Sequence, residues 1–243
     1  MPHDAAPFAI DRSAWSADTI ADLPCRVLLP VPYEPGARTY PLVVCLHGSG
    51  ERGTDTWAPL QNGLAVFERR RATHPCIVVA PQLPPDETWG GSWYGGATAG
   101  QRQLVALVHA LRTRRSVDPR RVHGVGYSMG AIGLWDLLVR EPGLVTAAVL
   151  VAGDLEVAQA APLTSFPLWS IVGGRDTLVP PDATRAFARL VEERGGIARV
   201  TEIADAGHDV WRAAFAHGPL WDWLFAQAAA SPVAWRPRLC RVP

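Results

Sequence analysis

"RVHGVGYSMGAIG" spans Arg121–Gly133. An apolar, strand-like run leads into glycines at 124, 126, 130 and 133, and a helical pattern follows. Two turns read this way. In a dinucleotide-binding turn, glycines let the backbone approach a pyrophosphate. In a nucleophile elbow, small residues let a strained turn push a serine outward.

The dinucleotide reading has the strand, the helix and an acid, Asp154, after the next strand. Its spacing fails: Gly124-x-Gly126-x-x-x-Gly130 is not G-x-G-x-x-G, and the unit falls mid-chain. The elbow needs G-x-S-x-G between strand and helix, and Gly126-Tyr127-Ser128-Met129-Gly130 supplies it. A helix-capping serine in a Gly-rich turn is the plain alternative for Ser128.

Outward from the elbow, short apolar runs alternate with helical patterns. Strand-like runs cover 25–30, 42–48, 76–81, 121–127, 147–153, 168–174 and 199–204. Several are apolar throughout, as strands covered on both faces are. Helical patterns cover 101–115, 128–140, 182–194 and 219–230, with Asp182 as a candidate N-cap. This alternation predicts an α/β fold: a doubly wound, mostly parallel sheet flanked by helices. One domain is expected over 1–230, and a Pro/Arg-rich tail over 231–243.

Of the 243 residues, 48% are hydrophobic and 19% charged, enough apolar material for a full core. Basic and acidic residues balance at 23 each, which argues against a nucleic-acid surface. All the strongly basic residues are arginine; with no lysine there is no Schiff base and no Walker-type phosphate loop. No apolar run approaches the ~18–20 residues of a membrane span. The first residues lack a signal-peptide pattern, so the expected location is cytoplasmic. Cys25, Cys45, Cys76 and Cys240 read as free thiols in a reducing compartment, and no His or Cys spacing suggests a metal site.

A nucleophilic serine needs a base, and the base needs an orienting acid; after an elbow they come in the order Ser, Asp/Glu, His. "SIVGGRDTLVP" runs from a strand into a turn with Asp176, and "EIADAGHDVW" from a strand into a loop with His208. Both lie after strand ends, where parallel α/β sheets place their sites. Asp154 is the alternative acid and His217 the alternative base. An oxyanion hole needs two backbone N–H donors. Met129, after the serine, is one candidate. The other is Ser49 in "LHGSGERG" (46–53), with Gly50 as the fallback. His47 suits a structural hydrogen-bonding role at the strand end, and Glu51 and Arg52 are read as anchoring this loop through an ion pair. In the loop 84–98, Trp89, Trp93 and Tyr94 either wall a substrate pocket or pin the loop to the core; Trp211 poses the same choice.

Taken together, "LHGSGERG" (46–53), "VVAPQ" (78–82), "GYSMGAIGLWDL" (126–137), "GGRDTLVP" (173–180), "DAGHDVW" (205–211) and "LWDWLF" (220–225) resemble the α/β-hydrolase superfamily. The likeness is to its dienelactone hydrolase and phospholipase/carboxylesterase-like group, which includes feruloyl-esterase-like enzymes and "predicted peptidases". The resemblance implies serine hydrolysis of an ester, thioester or amide without a cofactor, with Ser128 as nucleophile, Asp176 as acid and His208 as base. Relatives often carry a second glycine after the elbow; Ala131 stands there, followed by Ile132. The expected partner is a small-molecule ester or related acyl substrate, with neither nucleic acid nor membrane. A short-peptide hydrolase and a thioesterase or acyl-transfer enzyme of a biosynthetic pathway are the alternatives. A non-catalytic binding protein would not require all three residues in order.

Overall fold

The computed structural model describes residues 8–114 and 116–230. The tail expected from Ser231, Cys240 within it, and the first seven residues lie outside that range.

An eight-stranded sheet runs through the molecule: β1 (Trp15–Ile20), β2 (Leu23–Leu28), β3 (Tyr40–Leu46), β4 (Ile77–Pro81), β5 (Val117–Tyr127), β6 (Ala147–Val151), β7 (Leu168–Gly173) and β8 (Arg199–Ile203). Its order is β1-β2-β4-β3-β5-β6-β7-β8. The pairs β1/β2 and β2/β4 are antiparallel and every pair from β4 to β8 is parallel, so the sheet is mostly parallel as predicted. Strand β1 is the one strand of the eight that the apolar pattern did not disclose, and the short helices over 65–70 and 211–216 were not disclosed either. The middle of β1 is exposed or half-buried, and Ala21 and Asp22, both at positive φ, make the tight turn into β2. Paired two-residue φ > 0 turns are usually signalled by Asn-Gly or Asp-Gly, which this hairpin lacks.

Helices cover both faces, which is why the inner strands are apolar throughout. On one face lie α2 (Ala99–Arg112), α3 (Met129–Arg140) and α4 (Asp182–Glu193). On the other lie α1 (Ala65–Arg70), α5 (Trp211–Ala216) and α6 (Gly218–Ala226). Strand β3 divides its side chains by the two-residue period: Leu42, Val44 and Leu46 enter the first layer, Val43 and Cys45 the second. Edge-to-face aromatic pairs fill each layer, Trp135 with Phe187 and Trp221 with Phe67.

Thr98 caps α2 by accepting from the Gln101 amide, so the helix begins before the predicted 101. Asp182 does not cap α4. It is the first helical residue after Pro181, and its carboxylate faces Arg185 at 3.4 Å. Cys25, Cys45 and Cys76 are buried and free. Burial pushes the thiols of Cys25 and Cys76 up to about 12, and that of Cys45 well up, so they pack as small apolar groups. Among the described residues no helix is long and apolar enough to cross a membrane.

Candidate active site

The elbow forms where β5 ends and α3 begins. Ser128 sits at φ 52°, ψ −120°, a conformation most side chains avoid, and its amide donates to Val151 O on β6 (2.8 Å). The turn closes because its flanking residues are small. A Cβ on Gly126 would stand 2.5 Å from Gly130 O and 2.7 Å from Ala131 Cα. A Cβ on Gly130 would collide with the backbone of Leu46 and His47. Helix α3 therefore starts pressed against the end of β3. Ala131 is fully buried, with its methyl against Gly153, where a side chain would clash.

Three side chains from three strand ends meet here. His208 Nε2 lies 2.9 Å from Ser128 Oγ, and its Nδ1 lies 2.7 Å from Asp176 Oδ2. The carboxylate can only accept, so Nδ1 carries the proton and Nε2 faces the hydroxyl as an acceptor. Asp176 is buried, and its other oxygen accepts from the amides of Leu178 and Val179, both at 2.9 Å. Asp154 instead accepts from the Leu155 amide, and His217 is exposed at the start of α6, edge-on to Trp169. Tyr127, which the pattern did not single out, donates its hydroxyl to His208 O (3.2 Å) and tilts its ring against the imidazole. Burial, with Glu51 adding negative potential, raises its phenol to about 12 and keeps it a neutral donor.

The loop after β3 packs on the elbow, with Leu46 and His47 against Gly130 and Gly48 against the Tyr127 ring. Met129 opens α3 and Ser49 opens a 3-10 turn (Ser49–Glu51), so neither amide has an acceptor within its own helix. Three buried side chains hold the loop. Gln82 donates to Glu51 O (2.8 Å) and accepts from the Thr56 amide. Trp89 donates to His47 O. His47 Nε2 accepts from the Leu83 amide (3.0 Å), while Nδ1 faces Gly48 O (2.6 Å). That pair of contacts needs a neutral imidazole, and burial lowers its pKa to about 4.

The ion pair expected of Glu51 and Arg52 is not formed with any described residue. Arg52 Nε donates to Ser49 O (3.0 Å), so the arginine braces the loop by a hydrogen bond. Glu51 Oε2 turns inward beside Gly48 and the Tyr127 ring without a hydrogen-bond partner. The aromatic readings also divide. Trp89 is 0% exposed and Trp211 is buried against Phe8 and Phe215, so both pack in the interior. Trp93 is half-buried and its carbonyl accepts from Gln159, while Tyr94 is exposed. The loop that carries them is fixed to α3: Gly91 N donates to Asp136 Oδ2, Asp136 pairs with Arg140 (2.7 Å), and Arg140 donates to Ser92 O.

A serine on a strained strand-to-helix turn, at the C-terminal edge of a doubly wound sheet, is the arrangement of an α/β hydrolase. The chain belongs to the alpha/beta hydrolase family, whose model matches residues 43–242. A comparison with curated proteins gave no match. Among solved structures, the chain is similar to one titled "Crystal Structure of a Thermostable Esterase", at 28% identity and a TM-score of 0.79. That match covers 89% of this chain but spans only 64% of the esterase. A ferulic acid esterase shares the fold at 18% identity and a TM-score of 0.65, covering 87% of this chain and 96% of that one. So does the dipeptidyl peptidase 4 of Porphyromonas gingivalis, at 14% and 0.60, covering 88% of this chain and 35% of that one.

Proposed function

We propose that the protein is a serine hydrolase that cleaves the carboxylic ester of a small molecule through an acyl-enzyme on Ser128. One observation carries the reading: His208 bridges Ser128 Oγ and Asp176 Oδ2 at 2.9 and 2.7 Å, at the end of three separate strands. A capping serine needs no such partner. In this reading Nε2 of His208 takes the proton from Ser128 as the oxygen attacks the carbonyl. Asp176 holds the imidazole in the required tautomer and stabilises its charged form. The tetrahedral oxyanion sits on the amides of Met129 and Ser49, each donor contributing on the order of 10²–10³ in rate. His208 then protonates the departing alcohol. Water, activated by the same imidazole, frees the acyl group and restores Ser128. The similarity to a thermostable esterase at 28% identity supports an ester over an amide.

The reading is tested with p-nitrophenyl esters from acetate to aromatic acyl groups, assayed on the wild type and Ser128→Ala in parallel. Wild-type turnover that vanishes in the variant supports it. Equal turnover by both proteins, or none by either with Ser128 also unlabelled by a fluorophosphonate, overturns it.

A further inference from the structure

An open cleft of about 450 Å³ is lined by residues of the two segments that carry Ser128 and Asp176. Its walls belong to the catalytic elements themselves. Ile132 lies one turn along α3 from Ser128, and its amide donates to Ser128 O at 3.0 Å. Leu178 and Val179 form the opposite side, and their amides hold Asp176 Oδ1. Gly91 packs so closely on Ile132 that a Cβ there would stand 2.8 Å from Ile132 Cγ2, so the braced loop 84–98 fixes this wall from behind. Leu178 is 74% exposed, one of four large apolar side chains so exposed among the described residues.

The lining is of two kinds. Ile132, Leu178, Val179 and Pro180 give it apolar walls, while Asp154 and Asp182 add two exposed carboxylates. The nearby arginines are occupied by other acids. Arg185 is held in a fork by both oxygens of Glu202 (2.8 and 2.7 Å), leaving a long contact to Asp182, and Arg175 is paired with Asp205 (2.6 Å). The cleft therefore combines apolar walls with a negative field.

Resting on the serine-hydrolase reading, we propose that this cleft is the subsite for the longer arm of the ester. Ile132 and Leu178 select an apolar arm, and Asp154 and Asp182 favour an arm ending in an ammonium group over one ending in a carboxylate.

The test uses p-nitrophenyl esters of one chain length, about six carbons, ending in methyl, carboxylate or trimethylammonium, with the acetate as a substrate too short to fill the cleft. The wild type should favour the cationic over the anionic ester by on the order of tenfold or more in kcat/KM at low salt, less at high salt. In the double variant Asp154→Asn, Asp182→Asn that ratio should shrink at least about fivefold. Leu178→Ser should lower the hexanoate-to-acetate ratio by about fivefold. Thermal melts confirm that each variant is folded. Acetate turnover with a cation-to-anion ratio near one, or ratios unmoved in these variants, overturns the subsite and leaves the hydrolase reading standing. No turnover of any ester, with Ser128 also unlabelled by a fluorophosphonate, overturns both.

Discussion

Trp89 donates its indole N–H to the main-chain oxygen of His47 at 3.1 Å, and the two rings meet edge to face with centroids 5.1 Å apart. The contact joins the aromatic loop 84–98 to the strand end from which the Ser49 loop departs. Trp89→Phe keeps most of the ring and removes the donor, leaving a buried carbonyl without its partner. The expected cost is about 1–3 kcal/mol, read as a lower urea midpoint. If Ser49 supplies an oxyanion donor, kcat should also fall about tenfold as that loop loosens. Normal stability and kcat in this variant would show that the contact holds nothing.

Asp176→Asn separates chemistry from folding. An asparagine oxygen can still accept from the Leu178 and Val179 amides, so the melting temperature should change by only a few degrees. The group facing His208 Nδ1 becomes a donor or a weaker acceptor, and the imidazole turns to the wrong tautomer. Ester turnover should then fall by about 10³–10⁴. Asp154→Asn, by contrast, should leave acetate turnover within about tenfold of the wild type, because Asp154 does not touch His208.

Gly126 and Gly50 should respond oppositely to an added methyl group. Gly126→Ala drives a Cβ into backbone atoms of Gly130 and Ala131, which cannot swing aside, and should cost about 3 kcal/mol or prevent folding. Gly50→Ala meets nothing within 4 Å and should stay within about 0.5 kcal/mol of the wild type. Chemical denaturation of the two variants side by side checks the pair.

Acid should weaken the fold before most carboxylates titrate. Burial lowers His47 to about 4 and His123 to about 3, against about 6.5 for an unfolded histidine. Between those values the unfolded chain binds protons that the folded chain does not, so stability is full above about pH 6.5 and falls as pH drops toward 4. For His47 alone the loss reaches about 3 kcal/mol at the bottom of that window. Urea midpoints from pH 7.5 to 4.5 should show the decline. His123→Leu, which removes one such site, should flatten it.

The parallel core was legible because strands buried on both faces leave unbroken runs such as "LVVCL" and "AAVLV". The elbow was legible because close backbone approach at Gly126 and Gly130 restricts the residue type. Asp176 and His208 were legible as polar residues just past strand ends. What escaped lacks a local signature. Strand β1 has only a weak alternation, and its turn uses Ala21 and Asp22. Trp89 and Trp211 announce aromatic bulk, but which face meets solvent depends on partners distant in sequence, His47 for one and Phe8 for the other. The brace of Asp136 and Arg140 reads in sequence as an ordinary i, i+4 pair on a helix; only the fold shows Gly91 and Ser92 completing it. Tyr127 is next to the serine, yet its hydroxyl reaches His208, 81 positions away.

Whether Ser128 is an activated nucleophile is read by its reaction with a fluorophosphonate, followed by intact-protein mass and peptide mapping. One adduct per chain is expected, on Ser128, formed by the wild type and absent from Ser128→Ala. Labelling should be slowed by orders of magnitude in His208→Ala. A wild-type protein that forms no adduct, or one labelled at another residue with Ser128 untouched, would contradict this role for Ser128.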